Sequence, residues 1–210
     1  MVLMYILPVL RLTSRIVTEK HTGLSDFLRV MSLHHHAYWL SWCLYYFFIS
    51  LILSLLSLAL LSPTIFPLSN RGLLFLYLWL FSLSHIGYIA MMSVIFAKFN
   101  VSPRAASILS TLVFFLSFFV DRAVDSYATS ETRKSLASLI PNVAMSRGFM
   151  NIAAFEKGGV GLQNDNLSLE YMNHKVSSTM GLFVASAILM LLIAYCVHNF
   201  RCGLKSSPDS

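Results

Sequence analysis

The chain has 210 residues, 57% of them hydrophobic and only 11% charged, with a mean hydropathy of +0.70. Charged residues make up about a quarter of a soluble domain, so this composition excludes an ordinary water-soluble fold and points to a bilayer. The net charge of +6 could suit nucleic acid, but the fifteen basic residues are scattered around apolar stretches. There they match phospholipid head groups and a topology signal, so lipids are the expected partner and nucleic acid is not.

The opening run MVLMYILPVL has ten residues, and at about 1.5 Å each it covers about half of a hydrocarbon core of about 30 Å. It lacks a basic leader region and a small-residue cleavage site, so residues 1–10 are expected to be the end of a span that starts earlier, not a signal peptide. Residues 11–36 are amphipathic. Leu24, Phe27, Leu28 and Met31 recur at i, i+3, i+4 and i+7, one apolar helical face, with Ser25, Asp26, Arg29 and Ser32 opposite. Gly23 is expected to separate this helix from an earlier one that holds Arg15 to Lys20. A helix of this kind beside a span lies along the interface, either as a surface connector or as a docking element for a soluble partner.

Residues 37–123 are expected to hold three spans, from Ala37 to Leu61, Gly72 to Phe99 and Ala105 to about Asp121, and residues 177–199 a fourth. Residues 124–176 form the long connection between them, and 200–210 a polar tail. The expected fold is an all-α polytopic bundle. Across four spans the loops alternate. One side carries Arg11, Arg15, Lys20, Arg29, Lys98, Arg104, Arg201 and Lys205, against Arg71 alone in the short loop opposite, which makes the first side cytoplasmic. From Asp121 to Lys175 the chain holds six bases and six of the nine acids, nearly neutral, as expected of an exoplasmic structure.

Within the spans, His85 is an ionisable group where lipid does not favour one. It is expected to face the bundle interior, as a hydrogen-bond partner of a neighbouring helix or as a contact on a substrate path. Ser82 and Ser84 can let helices approach and bond across the bundle. Asp121 and Arg122 close the third span as a head-group anchor or an exoplasmic gate. His34, His35 and His36 are helical neighbours about 100° apart and do not converge on a metal, so no metal site is expected. Cys43, Cys196 and Cys202 show no CxxC spacing and no disulfide framework. In FEKGGVGLQNDN, Gly158, Gly159 and Gly161 are read as turn glycines, since no G-K-[ST] follows to make a phosphate loop. Asn166-Leu-Ser168 is a candidate glycosylation acceptor on the exoplasmic side, whereas the sequon at Asn100 falls on the cytoplasmic side.

Two stretches carry a resemblance. Glu19-Lys20, Leu24, Arg29-Val30-Met31 and Leu33, followed by Ala37 to Trp42 (AYWLSW), resemble the membrane domain of subfamily A ATP-binding-cassette transporters. SLASLIPNVAMSRGFMNIAAFEKGGVGLQNDN, residues 135 to 166, resembles the exoplasmic re-entrant helical pair of the same family, with Met150 where an acid is frequent and Asn164 where tryptophan is common. The order of elements matches over nearly the whole chain.

The resemblance implies that residues 11–36 are cytoplasmic coupling helices, with Glu19, Lys20, Leu24, Arg29 and Met31 meeting an ATPase domain. It also implies that Pro141, Asn142, Phe155, Glu156, Gly159 and Gly161 belong to the re-entrant hairpin. The implied function is a permease half of a lipid exporter or flippase. Its partners are a nucleotide-binding domain, which holds ATP and Mg²⁺, and a second transmembrane half. The sequence has no GxxxxGK[ST], so no cofactor is expected on this chain and it is not itself an ATPase. The competing reading is a truncated, non-transporting membrane adaptor or gene fragment. An intramembrane enzyme is disfavoured, because neither HExxH nor GxSxG occurs.

Overall fold

Backbone amides in hydrocarbon have no water to bond, so an apolar segment pairs its own N–H and C=O groups as helix. The computed structural model describes residues 3–22, 35–99, 101–124, 137–171 and 174–205. Its helices are α1 (Leu3–His21), α2 (His35–Thr64), α3 (Arg71–Lys98), α4 (Pro103–Val124), α5 (Pro141–Lys157) and α6 (Val176–Lys205). A 3₁₀ turn at Asn164–Asn166 and two antiparallel two-residue strands, β1 (Glu170–Tyr171) and β2 (His174–Lys175), lead from α5 into α6. The fold is an all-helical membrane bundle.

Helices α2, α3 and α6 each contain a stretch long and apolar enough to cross a membrane: Leu40–Thr64, Arg71–Ala97 and Val176–Val197. The third expected span is α4. Its 22 residues measure about 33 Å, but its apolar stretch among the described side chains is the shorter Pro103–Ser117. At the amino end the expected division at residue 10 is not a structural one. Helix α1 runs through it with Pro8 inside, and Tyr5, Val9, Leu12 and Ile16 form one buried face against α3 and α4. The face is continuous because those four residues fall at helical spacing on both sides of the boundary.

Helix α3 is the centre of the bundle. Of its spanning window 67% is buried, against 28% for α2 and 17% for α6. Ser82, Ser84, His85 and Ser93 of α3 are buried, as are Ser50, Ser54, Ser57 and Ser62 of α2, while α2 and α6 turn Leu44, Phe48, Ile52, Ile188 and Leu192 outward. In water such a surface would aggregate; in lipid it is solvated. The buried hydroxyls are satisfied by carbonyls one turn back, Ser84 on Phe81 O at 2.6 Å and Ser93 on Ile89 O at 2.7 Å. Ser82 alone of the expected pair bonds across the bundle. It donates to the Tyr5 hydroxyl of α1 at 3.0 Å and lies 2.9 Å from Ser54 Oγ of α2, tying three helices together.

Two glycines let elements approach closely, one against backbone and one against an aromatic ring. Gly87 of α3 lies against Ala187 of α6, where an added Cβ would sit 2.7 Å from the Ala187 carbonyl oxygen. Gly148 of α5 lies against the Tyr77 ring, and the Tyr77 hydroxyl donates to Met145 O at 3.0 Å. These contacts seat α5 on α3.

Candidate functional site

A cavity of about 180 Å³ lies where α3, α4 and the start of α5 meet, with Met190 of α6 at its edge. His85 is on its α3 wall, about 21 Å along the helix axis from the Arg71 end. The residue is 1% exposed and enclosed by aromatic rings: Tyr5 stacked at 5.3 Å, Phe81 edge-on at 4.5 Å and Phe114 at 5.6 Å. Its Nδ1 lies 2.9 Å from Phe81 O of its own helix, and from a neighbouring helix the Asn142 side chain interacts with the ring. A carbonyl only accepts, so Nδ1 holds the proton and Nε2 of the neutral ring is an acceptor. That Nε2 is buried with no hydrogen-bond partner among the described residues.

Asn142, at the second position of α5, lines the same cavity and is 6% exposed. Its Nδ2 donates to Phe114 O at 3.1 Å and Ser117 Oγ at 3.0 Å, while Ser117 gives its own proton to Phe114 O at 2.6 Å. Since Phe114 O cannot donate, the orientation of the amide is set by its partners. Its Oδ1 therefore faces away from α4, buried and without a hydrogen-bond partner among the described residues. Pro141 starts α5 at this depth, where its missing N–H costs nothing and its fixed φ suits a first helical turn.

The far end of α5 returns to the α2–α3 loop. The Glu156 carboxylate accepts from Leu68 N at 2.7 Å and Ser69 Oγ at 2.6 Å. Phe155 O accepts the amides of Val160 and Gly161 and closes the turn, in which Gly159 and Gly161 have φ of +75° and +65°. Gly158 sits in ordinary helical geometry, so two of the three expected turn glycines use their special freedom. The chain then runs along the loop, with Asn70 N on Leu162 O at 2.8 Å and Leu162 N on Ser69 Oγ at 2.9 Å.

This turn does not fit a nucleotide phosphate. Gly161 is closed against the Leu68 backbone, and the Gly161 carbonyl is taken by Asn166 Nδ2 at 2.6 Å. The same bond corrects the expectation for Asn166. The residue is 5% exposed, and the nitrogen that a glycan would occupy is committed inside the turn, because the loop needs it to cap its own carbonyl.

At the opposite end, Trp42 Nε1 donates to Glu19 Oε2 at 3.3 Å. The first and last residues of the upstream motif thus meet, closing the base of the segment between α1 and α2. Glu19 is half-buried and faces α2 rather than outward. Leu24, Arg29 and Met31 lie outside the described residues, as do the side chains of Lys20, Asp121 and Arg122; the last two residues are in the final turn of α4.

The sequence pattern of the ABC-2 family transporter protein matches residues 1–196. This chain belongs to the ABC-2 transporter family. It is similar to ATP-binding cassette sub-family A member 17 of Mus musculus, 26% identical over 207 residues that cover 95% of this chain and 12% of the relative. It is also similar to the glucosylceramide transporter ABCA12 of Homo sapiens, 27% identical over 88% of this chain and 7% of the relative. The cholesterol transporter ABCA5 of Rattus norvegicus is 36% identical over 41% of this chain and 5% of its own length. The chain thus spans at most 12% of these relatives.

As an ABC-2 membrane domain, the chain is an integral membrane protein. Ser84 gives its proton to Phe81 O, so it does not form a nucleophile–base pair with His85. The sequence marked His85 and Asn142 separately, one as an ionisable group in a span and the other as part of the hairpin motif. It missed their convergence, along with the Tyr5–Ser82–Ser54 link and the Glu19–Trp42 tether. The available signal was that both His85 and Asn142 sit in apolar surroundings that cannot satisfy them.

Proposed function

We propose that this ABC-2 domain is a permease part of a transporter that moves lipid or another amphipathic molecule across or out of the bilayer. The observation that carries the reading is a polar pair, His85 and Asn142, in the bundle interior beside a cavity whose rim residues Val113 and Leu116 are exposed on the lipid-facing surface. A molecule with a polar end and an apolar body can reach it from the bilayer. Similarity to proteins named as glucosylceramide and cholesterol transporters supports a cargo of that class.

In this reading the energy comes from a nucleotide-binding domain that holds ATP and Mg²⁺ and works with a second transmembrane half. A rearrangement is driven by differential stabilisation of two arrangements of the helices. Glu19, Lys20, Leu24, Arg29 and Met31 receive it, with the Glu19–Trp42 bond passing movement of the coupling segment to α2. His85 lies on the substrate path, and Asp121 with Arg122 anchors or gates the far end of α4. The segment between α1 and α2 faces the cytoplasm, and the turn 158–167 faces the exoplasmic side.

Cysteine labelling checks the orientation: in a background without native cysteines, Asp165→Cys is expected to react from outside intact cells, and Arg29→Cys only after permeabilisation. The reverse pattern would remove the coupling assignment. In the assembled transporter, Arg29→Glu is expected to lower substrate-stimulated ATP hydrolysis about two- to fivefold, the equivalent of a surface ion pair of about 0.5–1 kcal/mol, with insertion unchanged. Unaltered stimulation would return Arg29 to a head-group anchor. A non-transporting adaptor predicts that no lipid changes ATP turnover in either protein.

A further inference from the structure

Two buried acceptors beside one cavity, with no donor between them, are an unfinished hydrogen-bond network. We propose that the cavity between α3, α4 and α5 binds the hydroxyl end of a neutral membrane amphiphile, with His85 Nε2 and Asn142 Oδ1 as its acceptors. This deepens the path role given to His85 and rests on that role for its meaning in transport, though not for the binding itself.

Among the described residues that line the cavity no donor is left over: the Tyr88 hydroxyl donates to Ser110 O and the Ser117 hydroxyl to Phe114 O. Nδ1 of His85 is engaged by Phe81 O, and both protons of the Asn142 amide are turned to Phe114 O and Ser117 Oγ. Neither group can rotate to satisfy the other without abandoning a carbonyl that only accepts. Leaving either acceptor bare in hydrocarbon is costly. Adding a proton to the ring would supply a donor, but it would place a charge at membrane depth with no carboxylate among the residues lining the cavity. A neutral hydroxyl meets the need without that cost, and one O–H between adjacent acceptors can be shared by both.

The rest of the cavity selects the body of the ligand. Besides the two acceptors it is lined mainly by apolar groups, among them Met91, Met92, Ile140 and Met190. One water would fill about 30 Å³ of the 180 Å³ and leave the remainder facing methionine and isoleucine. Hydrocarbon suits that remainder. The volume is close to the roughly 150 Å³ that accepts one benzene ring in an engineered apolar cavity, so it holds the head and first carbons and not a whole lipid. Leu116, 57% exposed, and Val113, 41% exposed, form the rim through which the chain would leave into the bilayer. No Lys or Arg lines the cavity and its two unpaired side-chain atoms are acceptors, so phosphate and carboxylate heads are rejected.

The test uses the 210-residue chain in phosphatidylcholine nanodiscs, with no nucleotide and no turnover. The probe is a dodecanol carrying a photoreactive diazirine in its chain, with labelled peptides read by mass spectrometry. Labelling is expected in α3 near Met91 and Met92. At equal membrane mole fraction, dodecanol is expected to compete about tenfold better than dodecyl methyl ether, which has no proton to donate, or than dodecyl phosphate. In His85→Phe and Asn142→Leu the preference for alcohol over ether is expected to fall below about twofold. Leu116→Trp at the exposed rim leaves both acceptors in place and is expected to abolish the α3 labelling, which keeps the test decisive if either interior variant fails to fold. Equal competition by alcohol and ether in the unaltered protein would overturn the proposal and leave the acceptors to water. Because no transport is measured, failure of the permease reading leaves this result untouched.

Discussion

Gly87→Val is expected to leave little folded protein after detergent extraction. The first atom of any side chain at this position would lie 2.7 Å from the Ala187 carbonyl oxygen, 3.2 Å from the Ala187 Cα and 3.0 Å from the Met190 Cβ. Two of these obstacles are backbone of α6, which cannot swing aside as a flexible side chain can. Overpacking costs typically 1–3 kcal/mol, and with helix backbone as the obstacle about 3 kcal/mol or more is expected. The loss has a second consequence, because Gly87 is two residues from His85 and Met190 borders the same cavity. Forcing α3 from α6 would therefore reshape the site as well as loosen the bundle. Gly181→Ala is the control, since Gly181 lies in α6 with nothing within 4 Å of an added Cβ. There the gain in helix propensity, up to about 1 kcal/mol, is expected to hold or raise the melting temperature. Thermal aggregation followed by size-exclusion chromatography separates the two; comparable stability of Gly87→Val and the unaltered protein would reject the close α3–α6 crossing.

The second large effect is expected at Gly161. Its φ of +65° is in the left-handed region, which costs an L-residue about 1–2 kcal/mol, and an added Cβ would also meet the Leu68 carbonyl carbon and oxygen at 2.5 Å. Gly159 has a similar φ of +75° but nothing within 4 Å. Alanine at 159 therefore carries the conformational cost alone, whereas alanine at 161 pushes the turn off the α2–α3 loop. The bonds of Leu162 to Ser69 and Asn70, and those of Glu156 to Leu68 and Ser69, share that contact and are expected to weaken with it. Hydrogen exchange at residues 66–70 and 158–166 reads the difference directly. Faster exchange at both segments in Gly161→Ala, with near-native protection in Gly159→Ala, is the expected outcome. The opposite ranking would mean that the turn is held by its own conformation rather than by the loop beneath it.

The turn after α5 was legible because its chemistry is local. Gly159 and Gly161 in a turn follow from backbone preferences that neighbouring residues cannot override, whereas Pro141 and Glu156 were picked out by resemblance alone. The partner of Glu156 was not legible: Leu68 and Ser69 stand far away in the chain, and neither carries a charge to mark it as complementary. Asn166 shows the opposite failure. Its sequon is a local pattern, but the bond to Gly161 that buries it exists only once the turn has closed.

The bilayer environment, the helical class and the apolar segments that can cross were determined by the sequence alone, because they depend on composition and on lengths set by a helix rise of about 1.5 Å against a core of about 30 Å. That His85 must be shielded from lipid followed as well, from the cost of an imidazole in hydrocarbon. What shields it was decided by tertiary structure. Helices α2, α3 and α6 are apolar nearly all round, so no stripe along them says which is central or which faces meet. Packing resolves this through small groups and scattered polar ones. Gly87 permits the approach to α6, Ser82 joins Tyr5 to Ser54, and Asn142 arrives beside His85 from a helix that enters the bundle at mid-depth. Each contact joins residues distant in sequence and pairs atoms whose donor and acceptor roles are set by yet other partners, which is information held in three dimensions and not in any stretch of the chain.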